Sequence, residues 1–373
     1  MLKEKLKLNI VQDDIVEDYL ASIRENVNEI IVWGVGTANN YINFLQSNDL
    51  NERIKFYADN NKELQGTSIN GKIVLSPAKV YEFYQKNPNI LIVITSIYAH
   101  EVYKQLLSLG ISKLNIDIKG TAIAYEIKNQ NQRVILDNMD RFEEVYSILE
   151  DKHSQDLYVA LLNSRLTYDN TIFSELSSLT KDQYFEPGII EILPSEVFVD
   201  CGSFTGDTLV LFNERFKQYS KYIAIEADPI NYQKLINNVV EKNIKNVQCE
   251  NFACWDKEEN LYFSSNLNSG KIESNGEQKI KAKKLDDILA NEKISFLKMD
   301  IEGAEENALK GAENIIKRDQ PILAICLYHS LEDFYKLPLL MKKFNDEYTF
   351  FIRHYIPMFN TETVCYAIPK NRI

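Results

Sequence analysis

Ten residues, Phe296-Leu-Lys-Met-Asp-Ile-Glu-Gly-Ala-Glu305, leave this chain few folds to adopt. They read as a short buried strand that ends in acidic residues and passes through a glycine into a helix. In an α/β sheet, such a strand delivers carboxylates to the crevice outside its carboxyl end, where ligands bind. Upstream, Val197-Phe-Val-Asp-Cys-Gly-Ser-Phe-Thr-Gly206 is a second strand that ends in an acid and a glycine-bearing turn. Together the two segments describe a cofactor cleft.

The rest of the chain supplies a matching pattern. Short apolar runs alternate with amphipathic stretches from Glu29 onward: Ile30-Ile-Val-Trp33, Ile54-Lys-Phe-Tyr-Ala58, Ile73-Val-Leu75 and Ile90-Leu-Ile-Val-Ile-Thr95 read as strands. The last is continuous enough for a strand buried on both faces. Ser76-Pro77 is a good helix start, with proline in the first turn. Residues 25–120 are therefore expected to form a small parallel α/β domain behind a helical segment at 1–24. Residues 121–190 read as a mostly helical connector, with apolar residues of Phe142–Leu149 at helical spacing. From 191 to 373 the alternation returns, with strands expected at 197–200, 222–226, 247–252, 295–299, 321–328, 348–354 and 363–368. Residues 259–284 read as a β-hairpin, with Leu261–Phe263 and Gln278–Ala282 as its arms. The expected fold is thus α/β, two Rossmann-like domains joined by a helical segment, the second built on seven strands.

Composition narrows the function. A net charge of −12 argues against a protein that tracks phosphates along nucleic acid. The five cysteines are scattered and form no C-x-x-C pair, so neither a disulfide framework nor a zinc site is expected. No run of apolar residues reaches the length of a membrane span, and Asp13 and Asp14 interrupt the N-terminal stretch that a signal peptide would need. A cytoplasmic location is expected.

Asp200-x-Gly202-x-x-x-Gly206 lies between a strand and a helix that begins near Asp207-Thr208, where free backbone N–H groups face a ligand. Turns of this kind serve dinucleotides, flavins and S-adenosylmethionine alike. Glu226 ends the next strand, at the position that hydrogen-bonds ribose hydroxyls in nucleotide folds. Asp228-Pro229 then starts a helix with Asp228 as its cap. Phe252-Ala253, after the third strand, is placed to border an adenine ring.

These segments resemble the FkbM-type S-adenosylmethionine-dependent methyltransferases. The resemblance runs through Val197–Thr208, Ile225-Glu-Ala-Asp-Pro229, Lys284-Leu-Asp-Asp-Ile-Leu289, the run Phe296–Glu305, Ala308-Leu-Lys-Gly-Ala312, Tyr328-His329, Arg353-His-Tyr355 and Glu362–Ile368, and covers roughly 180–370. It implies a seven-stranded class I methyltransferase sheet with S-adenosyl-L-methionine as cofactor. Asp200, Gly202, Ser203, Gly206, Asp207, Thr208, Glu226, Ala227, Phe252, Ala253 and Asp300 would then hold the cofactor. Ser203-Phe204-Thr205 departs from the family, in which many members carry further glycines.

Methyl transfer needs an aligned acceptor and, for a hydroxyl acceptor, a base to take its proton. Asp300 is expected beside the methyl end of the cofactor, with Glu302 on the acceptor side. His329, ending the strand from Ile322, is the candidate general base because imidazole is neutral near pH 7. Lys298 shares a strand face with Asp300 and is expected to pair with Asp300, Glu302 or Glu305. Lys298, Tyr328, Arg353 and His354 are candidate acceptor-binding residues. Asp300, Glu302 and His329 lack tight ligand spacing, so no metal is expected.

In the first domain, Gly34-Val-Gly36 lacks a third glycine. Phe56-Tyr-Ala-Asp59-Asn60, Gly66, Ile69-Asn-Gly71 and Val74-Leu-Ser-Pro77 resemble the nucleotide-sugar-binding domain of bacterial sugar acetyltransferases. That resemblance implies a ligand near Gly34, Gly36 and Asp59. The overall reading is an O-methyltransferase acting on a hydroxyl of a sugar, nucleotide sugar or glycan-related metabolite, with homo-oligomerisation left open. Two rivals stand beside it: a nicotinamide-dependent oxidoreductase, and a non-catalytic binding or assembly protein of a glycan pathway.

Overall fold

Both regions of alternating apolar runs become sheets of mainly parallel strands in the computed structural model, which describes residues 1–266, 269–272 and 278–373. The chain divides into two compact units. Met1–Met139, Asp156–Ser177 and Ile356–Thr361 form the first, and Asp140–Gln155, Ser178–Tyr355 and Glu362–Ile373 the second. The stretch 121–190, expected as a separate connector, is helical over much of its length but is shared between the two units.

The first unit holds β1 (Glu29–Trp33), β2 (Ile54–Ala58), β3 (Ser68–Ile69), β4 (Lys72–Leu75), β5 (Ile90–Ile94) and β6 (Ile116–Asp117), in the order β3-β4-β2-β1-β5-β6. All neighbours pair parallel except β3, which runs antiparallel to β4. The N-terminal helix Gln12–Asn26 buries Val16, Leu20 and Ile23 in the same core as Ile30 and Val32, so the segment before Glu29 is part of this domain.

In the second unit lie β7 (Val197–Cys201), β8 (Lys221–Ile225), β9 (Val247–Glu250), β10 (Ala253–Cys254), β11 (Glu259–Asn266), β12 (Ser269–Ile272), β13 (Gln278–Lys283), β14 (Phe296–Met299), β15 (Ile322–Cys326), β16 (Thr349–His354) and β17 (Thr363–Ile368). Seven of them form one sheet ordered β16-β17-β15-β14-β7-β8-β9, and β10-β13-β11-β12 form a smaller one. The expected hairpin is present, with Leu261 opposite Ile280; residues 273–277, within the segment that joins its arms, lie outside the described residues.

An aromatic ladder runs across three neighbouring strands of the seven-stranded sheet. Phe296, Phe198 and Tyr222 are in register on β14, β7 and β8 and all fully buried. Ring centroids lie 4.4 Å apart for Phe198–Phe296 and 4.9 Å for Phe198–Tyr222, both stacked. Side chains alternate with period two along a strand, so the next residues on this face are Lys298 and Asp200. The order of strands reverses between β7 and β14, and there the crevice opens at the carboxyl ends.

Candidate active site

At the end of β7 the backbone turns through Gly202, whose φ is 81°. A Cβ on Gly202 would lie 1.9 Å from the carbonyl oxygen of Asp300, so only glycine lets the two strand ends approach this closely. Phe204 follows in the left-handed region at φ 49°, and its side chain remains 37 % exposed at the mouth of the crevice. Glu226 closes the turn from β8: one carboxylate oxygen accepts the Phe204 N–H at 2.7 Å and the other the Asp228 N–H at 2.8 Å. Burial pushes the Glu226 carboxyl up to about 7. Asp228 caps the helix Pro229–Glu241 through the N–H of Ile230, as its position before proline predicts.

Beside these groups lies a cavity of about 480 Å³. Gly202, Asp207, Thr208, Glu226, Ala227, Phe252, Ala253 and Asp300 line it, as do Lys298, Glu302 and Tyr328. Of the expected cofactor residues, Asp200, Ser203 and Gly206 are not in its wall. The Asp200 side chain is fully buried, 2.7 Å from Lys298 Nζ, and accepts the Tyr222 hydroxyl at 2.7 Å. Ser203 donates its hydroxyl to the Asp200 carbonyl, and Gly206 packs against Leu235.

Lys298 therefore pairs across the sheet with Asp200 and not with the acids that follow it in sequence. Strand register puts the two residues opposite each other. Burial opposes the ammonium charge, but the carboxylates of Asp200 and Asp300 outweigh it and hold Lys298 above the ordinary lysine value. Its Nζ also donates to the Gly202 carbonyl at 2.9 Å, which ties the turn to β14.

Asp300 projects into the cavity with both oxygens occupied: Tyr184 donates to one at 2.8 Å and Tyr328 to the other at 2.9 Å. Burial works against its ionisation, yet Lys298, His329 and the two phenols together depress its pKa. Glu362 lines the same end and accepts from Gln183 Nε2 at 2.6 Å. Burial, reinforced by the charge of Asp300, raises Glu362 to about 7.

Three expectations are corrected. His329 is not a neutral imidazole: burial disfavours its charge, but Glu305, Asp300 and Glu302 surround it and raise it to about 9. It enters neutral pH already protonated and has no lone pair to accept a proton. Arg353 is turned to Asp151, Ser154 and Glu186, at 2.6 Å from an Asp151 oxygen, and is absent from the cavity wall. His354 is fully buried and lies 2.8 Å from the Thr363 hydroxyl, away from the wall as well. Both lie on β16, an edge strand separated from β14 by β17 and β15, and a place at a strand end does not reveal which strands become neighbours.

Gln183, Tyr184 and Glu362 were missed. Tyr184 comes from the polar stretch ahead of β7, and Glu362 opens the segment Glu362–Ile368 just before β17, where it had no expected role. A buried tyrosine facing a carboxylate leaves no periodic trace, and nothing in the spacing could have found them.

In the first unit, Gly34 takes φ 105°, and a Cβ there would meet the Ser96 backbone nitrogen at 2.8 Å. Asp59 accepts the N–H groups of Val35 and Asn61. A Cβ on Gly36 would meet nothing within 4 Å.

Residues 200–355 match the methyltransferase FkbM domain, and residues 26–116 match the domain described as C2185-like, N-terminal. No curated protein matches the chain. Among solved structures, the crystal structure of methyltransferase FkbM from Methylobacillus flagellatus KT is similar at 20% identity and a TM-score of 0.68, over 95% of this chain and 96% of that one. Precorrin-6y C5,15-methyltransferase from Geobacter metallireducens GS-15 is similar at 10% identity and a TM-score of 0.34, over 51% of this chain and 86% of that one. The first of these likenesses carries the fold, and the domain match places the likeness to FkbM methyltransferases at residues 200–355.

Proposed function

We propose that the second unit is an S-adenosylmethionine-dependent O-methyltransferase acting on a hydroxyl of a sugar, nucleotide sugar or glycan-related metabolite. The observation that carries the reading is the convergence of Gly202, Glu226, Phe252 and Asp300 on one cavity of about 480 Å³, within the range of small-molecule sites. The residues suit the cofactor. Glu226 is held rigid by two backbone N–H groups and keeps lone pairs for ribose hydroxyls. Phe252 and Ala253 offer an apolar wall for adenine, and Asp300 a negative charge for a cationic group.

When bound, S-adenosylmethionine supplies an electrophilic methyl group on a sulfonium. Among this chain's groups, Glu362 is the proton acceptor we assign, because a carboxyl raised to about 7 divides near-evenly between acid and base at neutral pH. Gln183 holds it in place, and the Tyr184 and Tyr328 hydroxyls keep Asp300 pointed into the cavity. Hydrogen-bonding groups dominate this end, which suits a hydroxyl-rich acceptor.

Isothermal titration with S-adenosylhomocysteine tests the cofactor. One saturable site is expected, and a dinucleotide binding there instead would move the protein to redox chemistry. Methyl transfer from isotopically labelled S-adenosylmethionine to a panel of saccharides and nucleotide sugars then tests the acceptor, with mass spectrometry reading the product.

A further inference from the structure

Behind the cavity wall, one imidazole stands among carboxylates that outnumber it. His329 Nε2 lies 3.5 Å from Asp300 Oδ1 and 3.7 Å from Glu302 Oε2, while Nδ1 lies 3.1 Å from Glu305 Oε1. The ring is only 8 % exposed, yet among the described residues neither nitrogen finds a well-aligned hydrogen-bond partner. Glu305, 1 % exposed, likewise has Oε2 without a partner, while its Oε1 accepts the Ile301 N–H. Buried polar atoms are almost always satisfied, so orphaned atoms on two adjacent side chains call for an occupant. Lys298, whose charge acts on Asp300, is already bonded to Asp200.

We propose that Asp300, Glu302 and His329 Nε2 form a binding site for a divalent first-row metal ion, with Glu305 orienting the imidazole from behind. Metal–ligand bonds of about 2.0–2.2 Å set neighbouring ligand atoms roughly 3.0–3.5 Å apart, close to the 3.5 and 3.7 Å that separate His329 Nε2 from the Asp300 and Glu302 oxygens. A ligating histidine commonly gives its second nitrogen to a carboxylate, the place that Glu305 takes, and the ion would displace from Nε2 the proton that the carboxylates hold there in its absence. One imidazole among carboxylates suits Mn²⁺, Fe²⁺ or Zn²⁺ better than the all-oxygen preference of Mg²⁺ or Ca²⁺. No metal was expected from sequence because Asp300, Glu302 and His329 are loosely spaced along the chain; the neighbouring positions of β14 and β15 bring them together. Asp300 and Glu302 also line the cavity, so the ion would face the acceptor. Its use in methyl transfer rests on the function proposed above; its binding does not.

The test is a titration of chelator-treated, dialysed protein with Mn²⁺, followed by the electron paramagnetic resonance of the free ion. Uptake of one equivalent is expected, with nitrogen coupling from a single imidazole in the pulsed spectrum. His329→Gln should abolish that coupling and weaken binding by about tenfold or more. Glu302→Gln is a safer second variant because that side chain is 42 % exposed, and it too should weaken uptake about tenfold with the nitrogen coupling retained. No uptake at millimolar Mn²⁺, uptake without nitrogen coupling, or unchanged uptake in both variants overturns the site. S-adenosylhomocysteine binding, measured on the same samples, reports on the cofactor separately, so either reading can fail alone.

Discussion

The two mainly parallel sheets solve the same local problem and arrive at different crevices. In each, the acid that ends the second strand accepts an N–H from the turn after the first: Asp59 from Val35 at 3.1 Å, Glu226 from Phe204 at 2.7 Å. Across the reversal of strand order, however, the residues after the next strand differ. In the first unit that residue is Thr95, buried, with its hydroxyl donating to the carbonyls of Trp33 and Gly34, and Ser96 presses against Gly34. There the two strand ends are tied to each other. In the second unit the corresponding residue is Asp300, whose carboxylate is braced by two tyrosines and faces a cavity. A Rossmann-like turn is therefore a scaffold, and the group that follows the neighbouring strand decides whether it is a site.

The comparison breaks most visibly at Lys298. Replacing it by methionine leaves the carboxylate of Asp200 buried and unpaired, and should cost about 3–5 kcal/mol of stability in chemical denaturation. A loss under about 1 kcal/mol, the range of exposed pairs, would mean that Asp200 is solvated and that the second sheet has no buried charge to protect.

Next in size is Glu362→Gln, which should lower kcat by roughly 10²- to 10⁴-fold while leaving S-adenosylhomocysteine affinity unchanged. Because burial raises the Glu362 carboxyl to about 7, the base is protonated below that pH and ionised above it. Methyl-transfer rate should accordingly climb with pH through about 7 and level off above, and the variant should lose this limb. A variant with the wild-type profile would move the base elsewhere.

Glu226→Gln sharpens the contrast between the acids themselves. It should weaken S-adenosylhomocysteine binding by about 1.5–3 kcal/mol, the value of hydrogen bonds to a charged group, whereas Asp59→Asn should leave that binding untouched. The smallest effect is expected in the first unit, where a panel of nucleotide sugars should bind weakly or not at all, given Thr95 and Ser96 at the crevice. Saturable binding that Asp59→Asn removes would show that this crevice too can open.

Much of the fold was legible because burial on both faces of a parallel sheet writes itself as uninterrupted apolar runs, as in Ile322–Cys326 and Ile90–Ile94. Gly202 and Glu226 were legible for a related reason: a close backbone approach and a strand-end acid occupy set positions next to such a run. The partner of Lys298 was not, since it depends on which strands become neighbours. Nor were the fates of Arg353 and His329, which turn on where a strand lies in the sheet and on how many carboxylates gather around one ring.

Local order along the chain thus determined the strands, the helix caps and the glycine turns, because each is an interaction among residues a few positions apart. Tertiary structure alone decided the charge of His329, the raised carboxyl of Glu362 and the choice of Asp200 for Lys298. Those properties come from charges and dipoles far apart in sequence, acting together in a medium too poor in water to screen them.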